Sequence, residues 1–294
     1  MPLPIFYGDD LSIDHAALER YTHWIAEAGI GSLCLTYSYS QLGFITASEN
    51  LQITRVFAEA ANGRAVCFAS TRGEPLQDAL PIVDELYGAG ADGVFVMPPM
   101  AALESGPDYA RVLLELLQHT EAPILAMSFP TPSDHSTPLL SMDLIDRLVA
   151  HERFIGLKDD VNVPAQRLKL IDRYGDRLAI IGGGSVRNLM QFSHYPCQSE
   201  LDGYFCPRRA LRFSDAVTAG RLHEALAMIE QWEHVTGRPA DIQWQTRNQV
   251  TCFTLGYAST YRMRPPLSTP TEAQAARVCE HVKAHRDVFE PLGS

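Results

Sequence analysis

Lysine is scarce in this chain: of its 24 basic side chains only Lys158, Lys169 and Lys283 carry an ε-amine, and arginine supplies the rest. Lys158 ends the apolar run Phe154-Ile155-Gly156-Leu157-Lys158-Asp159-Asp160, whereas Lys169 and Lys283 fall in polar helical stretches. An amine at the mouth of a buried strand is costly to desolvate, and desolvation favours its neutral, nucleophilic form. Such an amine can attack a carbonyl carbon and form an imine. The competing reading is a surface lysine that follows a strand and pairs with Asp159 or Asp160.

The elements that would position this lysine follow a βα rhythm, with short apolar runs alternating with amphipathic stretches. Strands are expected at residues 3–7, 32–36, 65–69, 93–97, 124–128, 154–158, 178–181 and 203–206. Helices are expected between them, among them 13–28, opened by Ser12, and 76–89. Eight strands with intervening helices predict an α/β fold, a (β/α)8 TIM barrel with a C-terminal helical extension. Residues 1–211 would form the barrel core, and residues 212–294 would complete it and pack on it as helices at 213–235, 240–257 and 271–289. In a barrel, chemistry belongs to the loops after the strands. Those loops carry Tyr7, 37–41, 70–72, 98–100, 127–136, Lys158, 182–187 and 206–209.

Composition narrows the function classes. A net charge of −11 leaves no basic face for nucleic acid. No run of eighteen apolar residues is present and no basic-then-apolar leader opens the sequence, so a cytoplasmic protein that does not span a membrane is expected. Cys34, Cys67, Cys197, Cys206, Cys252 and Cys279 are irregularly spaced and form no CxxC pair, which points to neither a zinc site nor a disulfide framework. Asp159 and Asp160 are consecutive, so their side chains diverge, and no third carboxylate is placed to join them. No metal and no cofactor are expected.

Taken together, the motifs resemble the dihydrodipicolinate synthase / N-acetylneuraminate lyase family of class I Schiff-base aldolases. Ile155-Gly156-Leu157-Lys158-Asp159 is similar to the Schiff-base strand, Gly182-Gly183-Gly184-Ser185 to the glycine turn after strand seven, and Arg264-Pro265-Pro266-Leu267 to the C-terminal segment. Tyr37-Ser38-Tyr39-Ser40-Gln41, ahead of Thr46-Ala47-Ser48-Glu49, occupies the place of the family's Gly-Thr-Thr-Gly-Glu loop. The family's catalytic tyrosine after strand five falls on Met127 of Met127-Ser128-Phe129-Pro130, and methionine has no acidic proton. The tyrosine lent across a subunit contact falls near Pro99-Met100 and is also absent, and 131–135 holds no counterpart to the carboxylate-binding arginine.

The resemblance implies a lysine-imine carbon–carbon or carbon–oxygen lyase acting on pyruvate or a related 2-oxo acid, in a reaction other than dihydrodipicolinate formation. Lys158 would be the covalent nucleophile, with Ser38 and Tyr39 handling protons; Tyr37 and Tyr7 are further phenols on neighbouring loops. Met127, Gly183, Gly184, Phe205, Arg72 and Arg187 would bind substrate. Met100, Phe129, Met127 and Phe205 make the expected cavity apolar enough for a hydrophobic aldehyde as second partner. Relatives of this kind are homo-oligomers, dimers or tetramers. Two alternatives stay open: a 2-oxo sugar acid dehydratase of the same family, and a catalytically silent member that binds a metabolite or serves as a scaffold. Among the remaining candidates, Arg209 can clamp an acid or serve structure, and His135 beside Asp134 is a relocated acid/base or a solvated loop histidine.

Overall fold

The computed structural model describes residues 1–99, 103, 105–161, 163–183, 187–192, 198–199 and 205–293. The chain divides into two compact units, Met1–Val66 with Leu201–Ser294, and Cys67–Glu200.

The first unit opens with an extended segment instead of the strand expected at 3–7. Leu3 N donates to Cys34 O (2.9 Å) and Cys34 N to Met1 O (3.0 Å), beside the short strand β1 (Ser32–Cys34), and the remaining pairing is confined to the bridges Pro2↔Cys34 and Tyr7↔Ile13. Pro2 and Pro4 have no N–H to give, which removes two donors from this segment. Helix α1 (His15–Glu27) is capped by Asp14, whose side chain accepts from Ala17 N; Ser12, the expected cap, is held by Asp10 instead. Helix α2 (Ala47–Ala61) starts on a capping box of Thr46 and Glu49.

The second unit contains a parallel sheet. Strand β2 (Val66–Ser70) pairs with β3 (Gly93–Val96), which pairs with β4 (Ile124–Ser128), and α3 (Leu76–Gly88) and α4 (Gly106–His119) intervene in sequence. The segment after β4, expected as a loop, is a hairpin of β5 (Pro130–Thr131) and β6 (Asp134–Pro138). Helix α5 (Met142–Val149) leads into β7 (Phe154–Asp159), which pairs with β4; then come α6 (Pro164–Tyr174) and β8 (Ala179–Gly182), which pairs with β7. Helix α7 (Arg187–Phe192) precedes β9 (Gln198–Ser199), which pairs with β8. The expected strand at 203–206 falls largely outside the described residues, and Cys206 is a helix cap. Val94, Val96, Ile124, Ala126, Leu157 and Ile180 are buried with Leu113, Leu116 and Ile145 from the helices, as strands covered by βα crossovers require.

The chain then returns to the first unit with α8 (Pro207–Thr218), α9 (Leu222–Thr236), α10 (Trp244–Thr254) and α11 (Glu272–Ala284). The single helix expected at 213–235 is two, because Gly220 adopts φ +73° and ends α8. Tyr257 packs on Tyr21 and Trp24 with ring centroids 4.9 and 5.4 Å away, an aromatic cluster joining α1 to the segment after α10.

Candidate active site

Strand alternation sends consecutive residues at the end of β7 to opposite sides, and each aspartate finds a different cation. Asp159 is fully buried and meets the equally buried Arg167 of α6: Arg167 Nε lies 3.0 Å from Asp159 Oδ2, and its Nη2 donates to the Asp159 carbonyl at 2.8 Å. Arg167 also sits 5.2 Å above the Phe192 ring. Burial pushes the Asp159 carboxyl upward against the pull of Arg167. Lys158, only 7% exposed, points the other way, and both carboxylate oxygens of Asp160 lie 2.9 Å from its Nζ. The ion pair anticipated for a surface lysine is therefore formed, but by a lysine that is buried. Desolvation acts here together with a counter-ion that opposes it.

Gly183, which follows β8, makes this pair fit. Its N–H donates to Asp159 O at 3.0 Å, and a Cβ on it would stand 1.5 Å from Asp160 Oδ1 and 3.0 Å from Lys158 Nζ. Any larger residue would occupy the position of the carboxylate. Asp160 is the participant that sequence reasoning left as one of two alternatives, although the signal was present: residues i and i+2 share a strand face, which puts Asp160 on the side of Lys158.

Met127 is the register partner of Lys158 on β4 and is buried. Its N–H donates at 3.0 Å to the hydroxyl of Tyr109, which itself donates to Val96 O, so one phenol joins β3 to β4. Burial pushes the Tyr109 hydroxyl well above the ordinary phenol range. Arg72 is held by Glu74, with Nε to Oε1 at 2.8 Å and the backbone N–H to Oε2 at 2.7 Å. Gly184, Ser185 and Met100 lie outside the described residues; Arg187 opens α7, with its side chain outside the described part. Asp134 accepts from Ser136 N, Ser136 Oγ and Thr137 Oγ1, and these bonds hold its carboxyl down at about 2. It organises the hairpin turn, and His135 beside it is exposed.

The other expected residues belong to the first unit. Ser38 is exposed, and Tyr39 stacks edge-on against Trp244 at 5.2 Å. Both line a cavity of about 20 Å³ together with Gln41, Gln245 and Asn248. That is about the space for one water and too little for a three-carbon acid. Tyr7 is fully buried, donates to Gln41 Oε1 at 3.1 Å, and is pushed up to about 12 by burial, against the pull of Arg264. Phe205 is buried against Phe289 at 6.0 Å, and Arg209 is turned to Gln231 of α9.

Arg264 of the Arg-Pro-Pro-Leu segment grips Glu49 with two parallel bonds of 2.7 and 2.9 Å, donates to Leu11 O and Phe44 O, and lies 5.0 Å from the Tyr7 ring centroid. The Arg264 hydrogen bonds hold the Glu49 carboxyl down at about 2, from an ordinary 4.5. A depressed carboxyl contributes stability above its unfolded value and loses it as pH falls through the folded one. Between about pH 5 and pH 2 the native protein is expected to lose about 2 kcal/mol more stability than the Glu49→Gln variant, as read from urea midpoints across that range.

Comparison with known proteins supplies the family. The model of the dihydrodipicolinate synthetase family matches residues 6–285. The chain belongs to that family. A 4-hydroxy-tetrahydrodipicolinate synthase of Halorhodospira halophila is 24% identical over 280 residues, covering 91% of this chain and 88% of the relative. A chloride-inhibited dihydrodipicolinate synthase of Acinetobacter baumannii, complexed with pyruvate, superposes with a TM-score of 0.79 at 17% identity, over 96% of both chains. A sialic acid aldolase of Ruminococcus gnavus, a catalytic lysine mutant, gives a TM-score of 0.84 at 12% identity over 98% of this chain and 96% of that one. These likenesses establish the α/β (β/α)8 barrel with its C-terminal helices. The family is one of class I lyases and aldolases, and no helix among the described residues is long and apolar enough to cross a membrane.

Proposed function

We propose that this protein is a lysine-imine lyase or aldolase that acts on pyruvate or a related 2-oxo acid, in a reaction other than dihydrodipicolinate formation. The observation that carries the reading is Lys158: a buried amine near the end of β7, with a carboxylate 2.9 Å from its nitrogen. Family membership supports it, as do the pyruvate bound by the Acinetobacter baumannii enzyme and the catalytic lysine of the Ruminococcus gnavus aldolase. The amine attacks the 2-oxo carbon, water leaves, and the protonated imine draws electrons from the adjacent carbon as a bond there forms or breaks. Methionine at 127, where relatives use a phenol, argues against the usual proton relay and hence against the usual product. A cytoplasmic homo-oligomer, with a 2-oxo acid and a hydrophobic aldehyde as partners, belongs to the same reading.

The second reading, a catalytically silent member, is favoured by the same ion pair, since an amine engaged by a carboxylate can serve packing alone. Borohydride reduction in the presence of pyruvate separates the two. One covalent adduct is expected, mapping to the peptide that holds Lys158 and absent from Lys158→Ala. A wild-type protein that yields no adduct with pyruvate, 2-oxobutyrate or a 2-oxo sugar acid is a silent one.

A further inference from the structure

We infer that Asp160 is the proton-transfer group of this site and takes the part that Met127 cannot play; the inference rests on Lys158 forming an imine. Three observations carry it. Both Asp160 oxygens stand 2.9 Å from Nζ, within reach of every proton that must leave or join that nitrogen. The space that Asp160 Oδ1 fills exists only because residue 183 has no Cβ, which would lie 1.5 Å away. The neighbouring acid, Asp159, is committed to Arg167 on the opposite side of the strand, so the two carboxylates divide structural and chemical duties.

The steps balance with Asp160 as sole carrier. The carboxylate takes a proton from the Lys158 ammonium, leaving a free amine and a carboxylic acid. The amine's lone pair forms the N–C bond to the 2-oxo carbon, and the carbonyl oxygen, receiving the π electrons, takes the proton back from Asp160. Asp160 then removes a second proton from the nitrogen and delivers it to the hydroxyl, which departs as water while the nitrogen lone pair closes the C=N bond. The net change is ammonium plus carbonyl to iminium plus water, and Asp160 ends as the carboxylate beside a cation, as it began.

The test is rapid-quench borohydride trapping of isotopically labelled pyruvate on wild type, Asp160→Asn and Asp160→Ala, with circular dichroism and thermal melting to confirm folding. Asp160→Asn is expected to form the same Lys158 adduct about 10²–10⁴-fold more slowly, the range of a placed acid/base group. In Asp160→Ala, added formate is expected to restore part of the rate in a concentration-dependent way, which no merely structural role would produce. Trapping by Asp160→Asn at a rate within threefold of wild type, or slow trapping in Asp160→Ala that formate leaves unchanged, overturns the role of Asp160 while Lys158 keeps its own. A wild type without any adduct removes both.

Discussion

Gly183→Ala is expected to slow adduct formation on Lys158 by about 10²–10⁴-fold, as removal of Asp160 does, because the added methyl evicts that carboxylate. The new Cβ would lie 1.5 Å from Asp160 Oδ1, 2.8 Å from its Cγ and 3.0 Å from Lys158 Nζ. All three are atoms towards the ends of flexible side chains, so Asp160 rotates away and the backbone stays. Position 183 lies outside the left-handed region, so alanine adds no backbone strain there. The melting temperature is expected to fall, because the buried Lys158 amine loses its counter-ion, yet the protein stays folded while the trapping rate collapses. Coupling makes the result specific: Asp160→Ala with Gly183→Ala is expected to be no slower than Asp160→Ala alone, since deleting the carboxylate frees the space the methyl needs. Additive losses in the four-way comparison would mean that Gly183 acts by another route.

The largest stability loss is expected from Arg167→Ala, about 3–5 kcal/mol, because it leaves the Asp159 carboxylate buried with its principal cation removed. Arg167 and Asp159 side chains are 1% and 0% exposed, so water cannot replace the missing guanidinium without opening the end of β7. The lost bond to the Asp159 carbonyl adds to the cost. Burial already raises the Asp159 carboxyl, so the variant is expected to regain part of its stability at low pH, where the orphaned acid is protonated. The sign follows from linkage: a carboxyl raised in the folded state favours folding below its unfolded value and loses that contribution as pH rises through the folded one. Replacing both partners, Asp159→Asn with Arg167→Met, is expected to cost less than the single change, since no uncompensated charge remains. Urea unfolding of the three variants at about pH 4 and pH 7 provides the comparison.

Much of the barrel was legible because parallel strands buried on both faces read as apolar runs, and β2, β3, β4, β7 and β8 fall within a residue or two of expectation. The N-terminal segment is apolar enough for a strand, yet it forms only the bridges Pro2↔Cys34 and Tyr7↔Ile13, and its burial alone makes it read as one. Gly220 was visible in the sequence but not its positive φ, and so one helix was expected where two exist. Within the candidate site, Lys158 stood out by rarity and by its strand-end position. Arg167 did not, although its spacing of three, four and seven residues from Leu170, Ile171 and Tyr174 puts it on the buried face of α6; its charge hides that place. Gly183 is legible as a turn residue and a substrate-binding candidate; that its missing side chain is filled by the aspartate that follows β7 is a tertiary fact with no sequence signature. Arg264 was recognised through its motif, and its work proves to be the grip on Glu49, Leu11 and Phe44.

The pairing of Lys158 with Asp160 also sets a charge count for whatever binds. Within the pair, ammonium and carboxylate cancel, so this pair by itself offers an arriving anion a local dipole and no net positive charge. After iminium formation a 2-oxo acid adds its own carboxylate to that pair, so the iminium faces two negative groups, whereas an aldehyde or simple ketone adds none. Discrimination between an acid and its uncharged analogue is thereby shifted away from the amine, onto whatever cation or backbone dipole receives the acid's charge.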